Sequence, residues 1–342
     1  MTDSSQRSQH WLMRAKQDVV LEEFVFNASQ LGPRAIAVRT EFTAISPGTE
    51  CANYLALDPD VLTPGRWCSY PWVPGYAGVG NVTAVGSAVT EYKIGDRVVG
   101  SWPHVSHCTC DVDGDLVPAE PGVNPTHVAH TPIIGIAMTP LQLIRHDPLP
   151  TVGVWGLGMI GNLVAQLFQR AGGHVTGIDP VAERRVLASK CGVRRALAPS
   201  ELTPGQEFDI TVDTTGHAPT TVQIPEFTRR RGQVVLMTHW RNQPVTDGTP
   251  FINSVFRKGL SVHGAHTNAP GFEPGCNRAA PQRRKWMKIQ RELALSGLTV
   301  APLTSHVIDP TRCKEAYEGL CFDKSKWWGV VVDWRGGKGA TE

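Results

Sequence analysis

Three glycines in residues 151–180, TVGVWGLGMIGNLVAQLFQRAGGHVTGIDP, have the spacing of a dinucleotide-binding loop. Gly156, Gly158 and Gly161 form the pattern G-x-G-x-x-G directly after a run typical of a strand and before a run typical of a helix. The first glycine allows a tight turn, the second lets the backbone approach a pyrophosphate, and the third lets the helix pack on the strand. The free N–H groups at the start of that helix would face the phosphates.

An aspartate completes this site. Asp179 ends the next predicted strand, 18 residues after Gly161. A carboxylate at that place accepts hydrogen bonds from the ribose hydroxyls and repels a 2′-phosphate, so the sequence predicts NAD rather than NADP. Arg184 and Arg185 follow and could weaken this preference. A glycine-rich turn in another kind of α/β protein is the alternative.

The elements around this loop alternate between strands and helices. TVGVWG, HVTGID, FDITVDTTG, GQVVLMTH and GLSVHGAH are typical of strands, whereas MIGNLVAQLFQRAG and VAERRVLASKCG are typical of helices. This alternation predicts a parallel sheet covered by helices. A further helix is predicted from about Pro281 to Gly297.

The rest of the chain has a different sequence pattern. The first 145 residues contain short strand-like runs separated by Gly, Pro and Asp turns, and AMTPLQLIRHDPLP suggests a helix broken by prolines. After the α/β region, LTSHVIDPTRCKEAYEGL and KWWGVVVDW again read as short strands. We therefore expect the α/β region to be an insertion within a β-rich domain.

Composition limits the class of protein. The chain has 342 residues, enough for two domains, and 41% hydrophobic residues. A net charge of +2 does not favour nucleic-acid binding, and no apolar run or leader suggests a membrane segment or secretion. Eight scattered cysteines without a C-x-x-C pair are typical of free thiols. We expect a cytoplasmic protein without membrane or nucleic-acid partners.

The combined motifs resemble the medium-chain dehydrogenase/reductase superfamily. The resemblance is carried by ISPGTE (45–50), VPGYAGVGNVTAVGSAV (73–89), YKIGDRVVG, VWGLGMIG and VDTTG (212–216). It implies an α/β protein in which a GroES-like β-barrel catalytic domain, 1–145 plus 299–342, holds an inserted Rossmann NAD-binding domain, 146–298. Relatives are usually homodimers or homotetramers, and GQVVLMTH and GLSVHGAH correspond to the region that pairs across their dimers.

The sequence departs from zinc-dependent members of this superfamily. Their C-G-[ST]-D stretch corresponds to 47–50, where Pro47 replaces the zinc-binding cysteine, and their G-H-E stretch corresponds to 75–77, where Tyr76 and Ala77 replace histidine and glutamate. The third ligand would fall near HTPIIG (130–135), which has no acid or thiol. A catalytic zinc needs three protein ligands, so we expect no metal.

Residues 101–118 contain a second candidate metal site. His104, His107, Cys108 and Cys110 read as H-x-x-H-C-x-C. Neighbouring ligands on a strand would point to opposite faces, and the stretch also reads as a short strand pair. The sequence therefore favours a structural interpretation over a metal site.

Without zinc, a positioned acid–base group must handle the proton of the alcohol. By resemblance, Tyr76 occupies a zinc-ligand position and Thr49 that of a proton-relay hydroxyl, with Glu50 beside it. The candidate catalytic residues are Tyr76, Thr49, Glu50, His104, His107 and His130. Glu50 could instead be a structural partner of an arginine, and His130 could pack at a helix start.

The cofactor contacts are expected at the ends of the strands of the parallel sheet. Trp240 could border the substrate or belong to an interface or lid. The predicted cofactor-binding residues are Gly156, Leu157, Gly158, Met159, Ile160, Gly161, Asp179, Pro180, Thr214, Thr215, Gly216, Thr238, His239, Gly264, Ala265 and His266.

These observations predict a zinc-independent, NAD-dependent oxidoreductase that interconverts a secondary alcohol and a ketone. The pieces ISPGTE, GY and WPHVSH resemble the bacteriochlorophyllide and cyclitol dehydrogenase branches, which implies a polar ring substrate such as a cyclitol, a sugar or an intermediate of specialised metabolism. Two alternatives remain: an NAD(P)H-dependent reductase of an activated double bond, and a dinucleotide-binding protein that has lost catalysis.

Overall fold

The computed structural model describes residues 5–144, 149–241, 245–266 and 279–336. Its contacts divide the chain into unit 1, Met1–Ile133, Asn277–Ser296 and Thr304–Glu342, and unit 2, Ile134–Cys276 and Gly297–Leu303. The domain boundaries predicted at 145/146 and 298/299 stay a proposal. Within the described ranges, no helix is both long and apolar enough to cross a membrane.

Unit 1 is built mainly from strands. Its strands are β1 (Ser5–Ala15), β2 (Asp18–Asn27), β3 (Ala35–Ala44), β4 (Gly78–Val85), β5 (Arg97–Gly100), β6 (His107–Asp111), β7 (Leu116–Pro118), β14 (His306–Ile308) and β15 (Val330–Asp333). Its helices are α1 (Pro47–Tyr54), α2 (Pro125–Val128), α9 (Ala279–Ala294) and α10 (Cys313–Phe322), and α3 (Thr131–Ala137) leads into unit 2.

Unit 2 alternates strands and helices. Its strands are β8 (Thr151–Trp155), β9 (His174–Ile178), β10 (Ala196–Leu197), β11 (Phe208–Asp213), β12 (Thr228–Leu236) and β13 (Ser261–Gly264). Its helices are α4 (Thr139–Leu143), α5 (Met159–Arg170), α6 (Ala182–Lys190), α7 (Ala218–Gln223) and α8 (Thr249–Lys258).

The main sheet of unit 1 has the order β14-β15-β3-β4-β5-β7, and β6 pairs with β3. The pairs are antiparallel except β14 with β15. The hairpin β1–β2 is joined to the surrounding loops by bridges from His10 to Val105 and from Met13 to Trp72. The expectation that residues 101–118 form a strand pair was wrong, because β6 pairs with β3 and β7 pairs with β5.

The expectation of short strands throughout residues 303–320 was also wrong. Only His306–Ile308 is a strand there, and Cys313–Phe322 forms helix α10. Cys313, Ala316, Tyr317 and Leu320 are all buried, with the spacing of one helix face. They pack in one apolar cluster with Trp11, Ile45 and Trp334. Burial of this face therefore stabilises a helix in a segment whose local sequence pattern is typical of strands.

In the described part of unit 2, the sheet has the order β10-β9-β8-β11-β12-β13 with all pairs parallel. The strand order reverses between β8 and β11, so the crevice that binds ligands in such sheets begins at the carboxyl ends of these two strands. The predicted doubly wound parallel sheet is confirmed. Helix α5 packs its buried Leu163, Val164 and Phe168 against this sheet.

Candidate active site

The glycine-rich loop lies between β8 and α5, as the motif predicted. Gly156 has a φ of +88°, a conformation that favours glycine. A Cβ on Gly156 would lie 2.9 Å from Thr214 Oγ1, and one on Gly161 would overlap the Gly156 carbonyl oxygen. Both glycines are therefore required by the turn and by its close contact with the loop after β11.

Gly158 is different, because a Cβ there would meet nothing within 4 Å. This residue is the N-cap of the 12-residue helix α5, and no side chain caps the helix. Free backbone N–H groups and the positive end of the helix dipole therefore face open space. This arrangement fits the pyrophosphate of a dinucleotide.

Asp179 lies directly after β9, and its carboxylate holds the neighbouring backbone. Leu157 N–H donates to Oδ2 and Val181 N–H donates to Oδ1, both at 2.8 Å. Arg184 Nη1 lies 3.6 Å from Oδ2, and Arg185 donates to the Asp179 carbonyl oxygen. The carboxylate thus ties the glycine-rich loop to the end of β9 and lies beside the Arg184 guanidinium.

The loops after β11, β12 and β13 meet at the same edge of the sheet. Met237 N–H donates to the Asp213 carbonyl, and Ala265 N–H donates to the Leu236 carbonyl. A Cβ on Gly216 would lie 3.2 Å from Thr238 Oγ1. The predicted cofactor-binding stretches Thr214–Gly216, Thr238–His239 and Gly264–His266 are therefore neighbours at the carboxyl edge.

Trp240 lies just beyond β12 and is 43% exposed. Its indole N–H donates to Thr221 Oγ1 at 3.0 Å. Thr221 in turn donates to the buried Asp213 carboxylate at 2.5 Å, and Asp213 also accepts from the Thr215 N–H. The loop after β11 is thus held by a buried carboxylate, and Trp240 is connected to it.

In unit 1, the segment 46–50 and the segment 75–77 come together. Helix α1 begins at Pro47, and Ser46 is its N-cap. The Tyr76 hydroxyl donates to Ser46 Oγ at 2.5 Å. Tyr76 is half-buried, Ala77 is buried and Thr49 lies in the first turn of α1. Tyr76, at one position where the resemblance expects a zinc ligand, is therefore hydrogen-bonded to Ser46, the residue before Pro47.

A buried polar network lies next to this pair. Glu50 and His104 are both fully buried, and His104 Nε2 lies 2.9 Å from Glu50 Oε2. The same carboxylate accepts from the Tyr317 hydroxyl at 2.6 Å and from Ser46 N–H at 2.7 Å. Burial and the nearby Glu50 hold the pKa of Tyr317 well above its usual value, so this phenol stays a donor. Glu50 is therefore the centre of the network.

Thr43 Oγ1 extends this network on the other side of the imidazole. Trp334 Nε1 donates to it at 2.9 Å, and His104 Nδ1 lies 2.7 Å from it. Both ring nitrogens of the buried His104 therefore have a hydrogen-bond partner, Thr43 at Nδ1 and Glu50 at Nε2.

The other two histidines lie apart from the phenol–serine pair. His107, on β6, stacks on Phe26 and has Nδ1 3.1 Å from Ser8 Oγ; burial is the main cause that lowers its pKa. His130 is fully buried just before α3, with Nδ1 2.9 Å from the Thr126 carbonyl. Burial lowers the pKa of His130 to about 4, so this imidazole is neutral.

The H-x-x-H-C-x-C stretch does not converge. His104 faces Glu50 and His107 faces Ser8, while Cys108 and Cys110 share a face with their sulfurs 3.7 Å apart. The expectation that neighbouring ligands here all point to opposite faces was wrong for the two cysteines, since residues two apart on a strand share a face. Among the residues that the structure describes, no three His, Cys, Asp or Glu side chains form a group that could hold a metal.

The sequence analysis named Tyr76, Glu50 and His104 as candidates, but it did not name the partners Ser46 and Tyr317 to which the structure joins them. Ser46 stands inside the quoted ISPGTE, and a serine before a helix-starting proline reads as a cap. Tyr317 is far along the chain, and only the helical spacing of α10 could have indicated that it is buried.

Two family models match the chain, in the order of the two units. Residues 33–121 match the alcohol dehydrogenase GroES-like domain, and residues 159–277 match the zinc-binding dehydrogenase family. The predicted GroES-like and Rossmann combination is therefore confirmed.

Individual relatives agree with these matches. The chain is 28% identical over 211 residues to D-guloside 3-dehydrogenase of Escherichia coli K12, which covers 54% of this chain and 60% of the relative. It is 30% identical over 154 residues to alcohol dehydrogenase patD of Aspergillus clavatus, covering 36% and 40%. The chain thus spans about half the length of the curated relatives that it matches.

A solved structure shares the fold over nearly the full length. L-idonate 5-dehydrogenase of Escherichia coli K-12 superposes with a TM-score of 0.78 at 16% identity, over 96% of this chain and 99% of that one. Together, the two matched domains, the relatives and the shared fold show that the chain belongs to the medium-chain dehydrogenase/reductase superfamily.

Proposed function

We propose that this protein is a zinc-independent, NAD-dependent oxidoreductase that interconverts a secondary alcohol and a ketone on a polar ring substrate. The observation that carries the proposal is the hydrogen bond from Tyr76 to Ser46. By resemblance, Tyr76 stands at the position of a zinc ligand, and Ser46 directly precedes Pro47, which stands at another. Tyr76 is the acid–base group that exchanges a proton with the substrate oxygen. Glu50 and His104, being fully buried, act as positioning residues, and Thr49 lies near them on α1.

Zinc independence rests on the chemistry of the side chains. Pro47 and Ala77 have no side-chain ligand atom, and the Tyr76 hydroxyl is already bound to Ser46. A tetrahedral catalytic zinc needs three protein ligands. The phenol therefore takes over the stabilisation of charge at the substrate oxygen.

A nicotinamide dinucleotide fits unit 2. Gly158 and the N-terminus of α5 would face the pyrophosphate, and the strand ends at Thr214–Gly216, Thr238–His239 and Gly264–His266 would border the nicotinamide. When bound, this cofactor supplies or accepts the hydride. Asp179 at the ribose position favours NAD because its charge opposes a 2′-phosphate. Arg184, 3.6 Å from that carboxylate, reduces the opposition.

The cofactor choice can be measured by titration. We expect wild type to bind NAD more tightly than NADP. Arg184→Ala should increase the ratio of the two dissociation constants, because the cation beside the Asp179 carboxylate is lost. Fluorescence titration with both dinucleotides tests this. Tighter binding of NADP by wild type would contradict the assignment.

The substrate class rests on one relative, whose name is D-guloside 3-dehydrogenase. A guloside is a sugar ring with secondary hydroxyls. We propose a cyclitol or sugar-like ring as substrate of this chain.

We also propose that the protein forms a homodimer, or a homotetramer built from it. Within the described chain, β13 is an edge strand of its sheet, and Val262 on it is exposed. Ile252 and Phe256 on α8 are 64% and 87% exposed. An unpaired edge with exposed apolar side chains is a surface that pairing with a second copy would cover. Light scattering after size-exclusion chromatography tests this, and Val262→Lys should shift the protein to monomers.

The central experiment is a screen of cyclitols, glycosides and activated double bonds with both oxidised and reduced dinucleotides. Tyr76→Phe keeps the ring and removes the hydroxyl, so turnover should fall by about 10²–10⁴-fold with cofactor binding retained. Tyr70→Phe is the matched control, because its hydroxyl binds the Asn53 carbonyl at the other end of α1. It should stay within a few-fold of wild type.

Three results would contradict the proposal. Reduction of a double bond with NADPH would favour a double-bond reductase. Dinucleotide binding without any turnover would favour a catalytically inactive binding protein. If Tyr76→Phe turned over as fast as wild type, another residue would have to transfer the proton. His107 would be the first to test, because it is only half-buried.

A further inference from the structure

Ser46 breaks a local rule of helix structure. It is the N-cap of α1, with φ −90° and ψ 96°, yet its side chain makes no capping hydrogen bond. A serine at this position normally accepts a bond from a helix N–H group. Here the Ser46 hydroxyl is directed to the Tyr76 hydroxyl, 2.5 Å away. Departures of this kind from local preference are expected at functional sites.

The Ser46 backbone is also held in place from several sides. Pro47 restricts the preceding residue to extended backbone. Ser46 N–H donates to Glu50 Oε1 at 2.7 Å, and Glu50 is itself bound by Tyr317 and His104. The Ser46 residue is only 5% exposed. A desolvated hydroxyl on a fixed backbone, whose O–H can still turn, is preorganised to interact with charge on its neighbour.

We propose that Ser46 is a second catalytic residue, which stabilises the Tyr76 phenolate formed when Tyr76 gives its proton to the substrate. The proposal rests on the function proposed above. In ketone reduction, the Tyr76 O–H bond breaks and its proton forms the new O–H bond of the alcohol, while the electron pair stays on the Tyr76 oxygen. The hydride that completes the alcohol comes from the reduced nicotinamide cofactor.

Both hydroxyls can rotate, so the bond between them can reverse. Before proton transfer Tyr76 donates to Ser46; during transfer the Ser46 O–H turns to donate to the phenolate. Water then returns a proton to Tyr76. In alcohol oxidation the same steps run backwards, and Ser46 favours the phenolate that acts as base. A hydrogen bond to the charged form of a group favours that form, so losing the Ser46 hydroxyl should raise the pKa of Tyr76.

The test compares Ser46→Ala with wild type. A hydrogen bond to a charged group is worth about ten- to a hundredfold in an equilibrium or rate, so kcat should fall by that factor. In ketone reduction Tyr76 must be protonated, so the pH above which kcat falls should be higher by about one to two pH units in Ser46→Ala. Because Ser46 makes no capping bond, thermal stability should change little.

A second measurement does not depend on turnover. Spectroscopic titration of tyrosine ionisation, with Tyr76 assigned by subtracting Tyr76→Phe among the five tyrosines, should show the Tyr76 pKa raised in Ser46→Ala. Ser46→Thr keeps a hydroxyl and should recover much of kcat. Ser46→Gly removes the hydroxyl with a residue that suits an N-cap, in case the alanine variant folds poorly. Ser29→Ala, which removes an exposed hydroxyl bound to Asn27, is the control.

The outcomes separate this inference from the proposed function. Loss of turnover in Tyr76→Phe together with unchanged kcat and unchanged Tyr76 titration in Ser46→Ala would overturn the role of Ser46 and leave Tyr76 as the acid. Wild-type turnover in Tyr76→Phe would overturn both. A raised Tyr76 pKa and a ten- to hundredfold lower kcat in Ser46→Ala would support the role of Ser46 in stabilising the Tyr76 phenolate.

Discussion

Glu50 should be one of the most sensitive positions for the stability of unit 1. Its carboxylate accepts from Ser46 N–H, the Tyr317 hydroxyl and His104 Nε2 at 2.7, 2.6 and 2.9 Å, and the residue is fully buried. Glu50→Ala leaves all three donors without an acceptor. Breaking a buried polar network on one side costs about 3–5 kcal/mol.

A loss of that size should be easy to measure. For domains of about 150–250 residues, each 1 kcal/mol lowers the melting temperature by about 2–4 °C, so Glu50→Ala should melt roughly 10 °C below wild type. Tryptophan fluorescence is a suitable probe, because the Trp11 ring lies 4.7 Å from that of His104 and Trp334 binds Thr43 in the same network.

The matched control is Glu315→Ala. Glu315 binds Arg312 at 2.6 Å, but both side chains are about half exposed, and surface pairs contribute about 0–1 kcal/mol. Glu50→Gln should recover part of the loss, since its amide oxygen can still accept from Ser46 N–H. If Glu50→Ala and Glu315→Ala melted at the same temperature, the buried hydrogen bonds to Glu50 would not stabilise unit 1 as argued.

Three further predictions concern other parts of the chain. His130 has a pKa of about 4 in the folded protein and about 6.5 in the unfolded chain, so the unfolded chain takes up the proton first as the pH falls. The free energy of unfolding should therefore drop by up to about 3 kcal/mol between pH 6.5 and pH 4. In His130→Gln, the free energy of unfolding measured with urea should depend less on pH over this range. Gly158→Ala should fold normally but bind NAD poorly, whereas Gly161→Ala should also melt lower, as calorimetry with and without NAD would reveal. Dialysis against a chelator should leave turnover intact, because Pro47 offers no thiolate; activity lost with about one zinc per chain would contradict this.

The sequence alone determined the parts of this protein that depend on neighbouring residues. The G-x-G-x-x-G pattern at 156–161, the strand before it and the helix after it form a local unit, in which glycine is required by contacts within the turn and with the adjacent strand end. The alternating strands and helices of 151–264 likewise follow from local periodicity, so the parallel sheet was predictable. The residue types at Pro47, Tyr76 and Ala77, where the resemblance places zinc ligands, could also be taken from the sequence directly.

Only the tertiary structure decided which polar groups meet. Tyr317 lies 267 positions from Glu50, and His104 lies 54 positions away, yet both donate to one carboxylate. Candidate acid–base residues in a sequence look alike, but burial separates them: Glu50 and His104 are enclosed, whereas Tyr76 keeps partial exposure and bonds to Ser46. The physical reason is that packing of distant apolar faces, here α10 against Trp11 and Ile45, determines which charges lose water and must find partners. No local pattern encodes that choice.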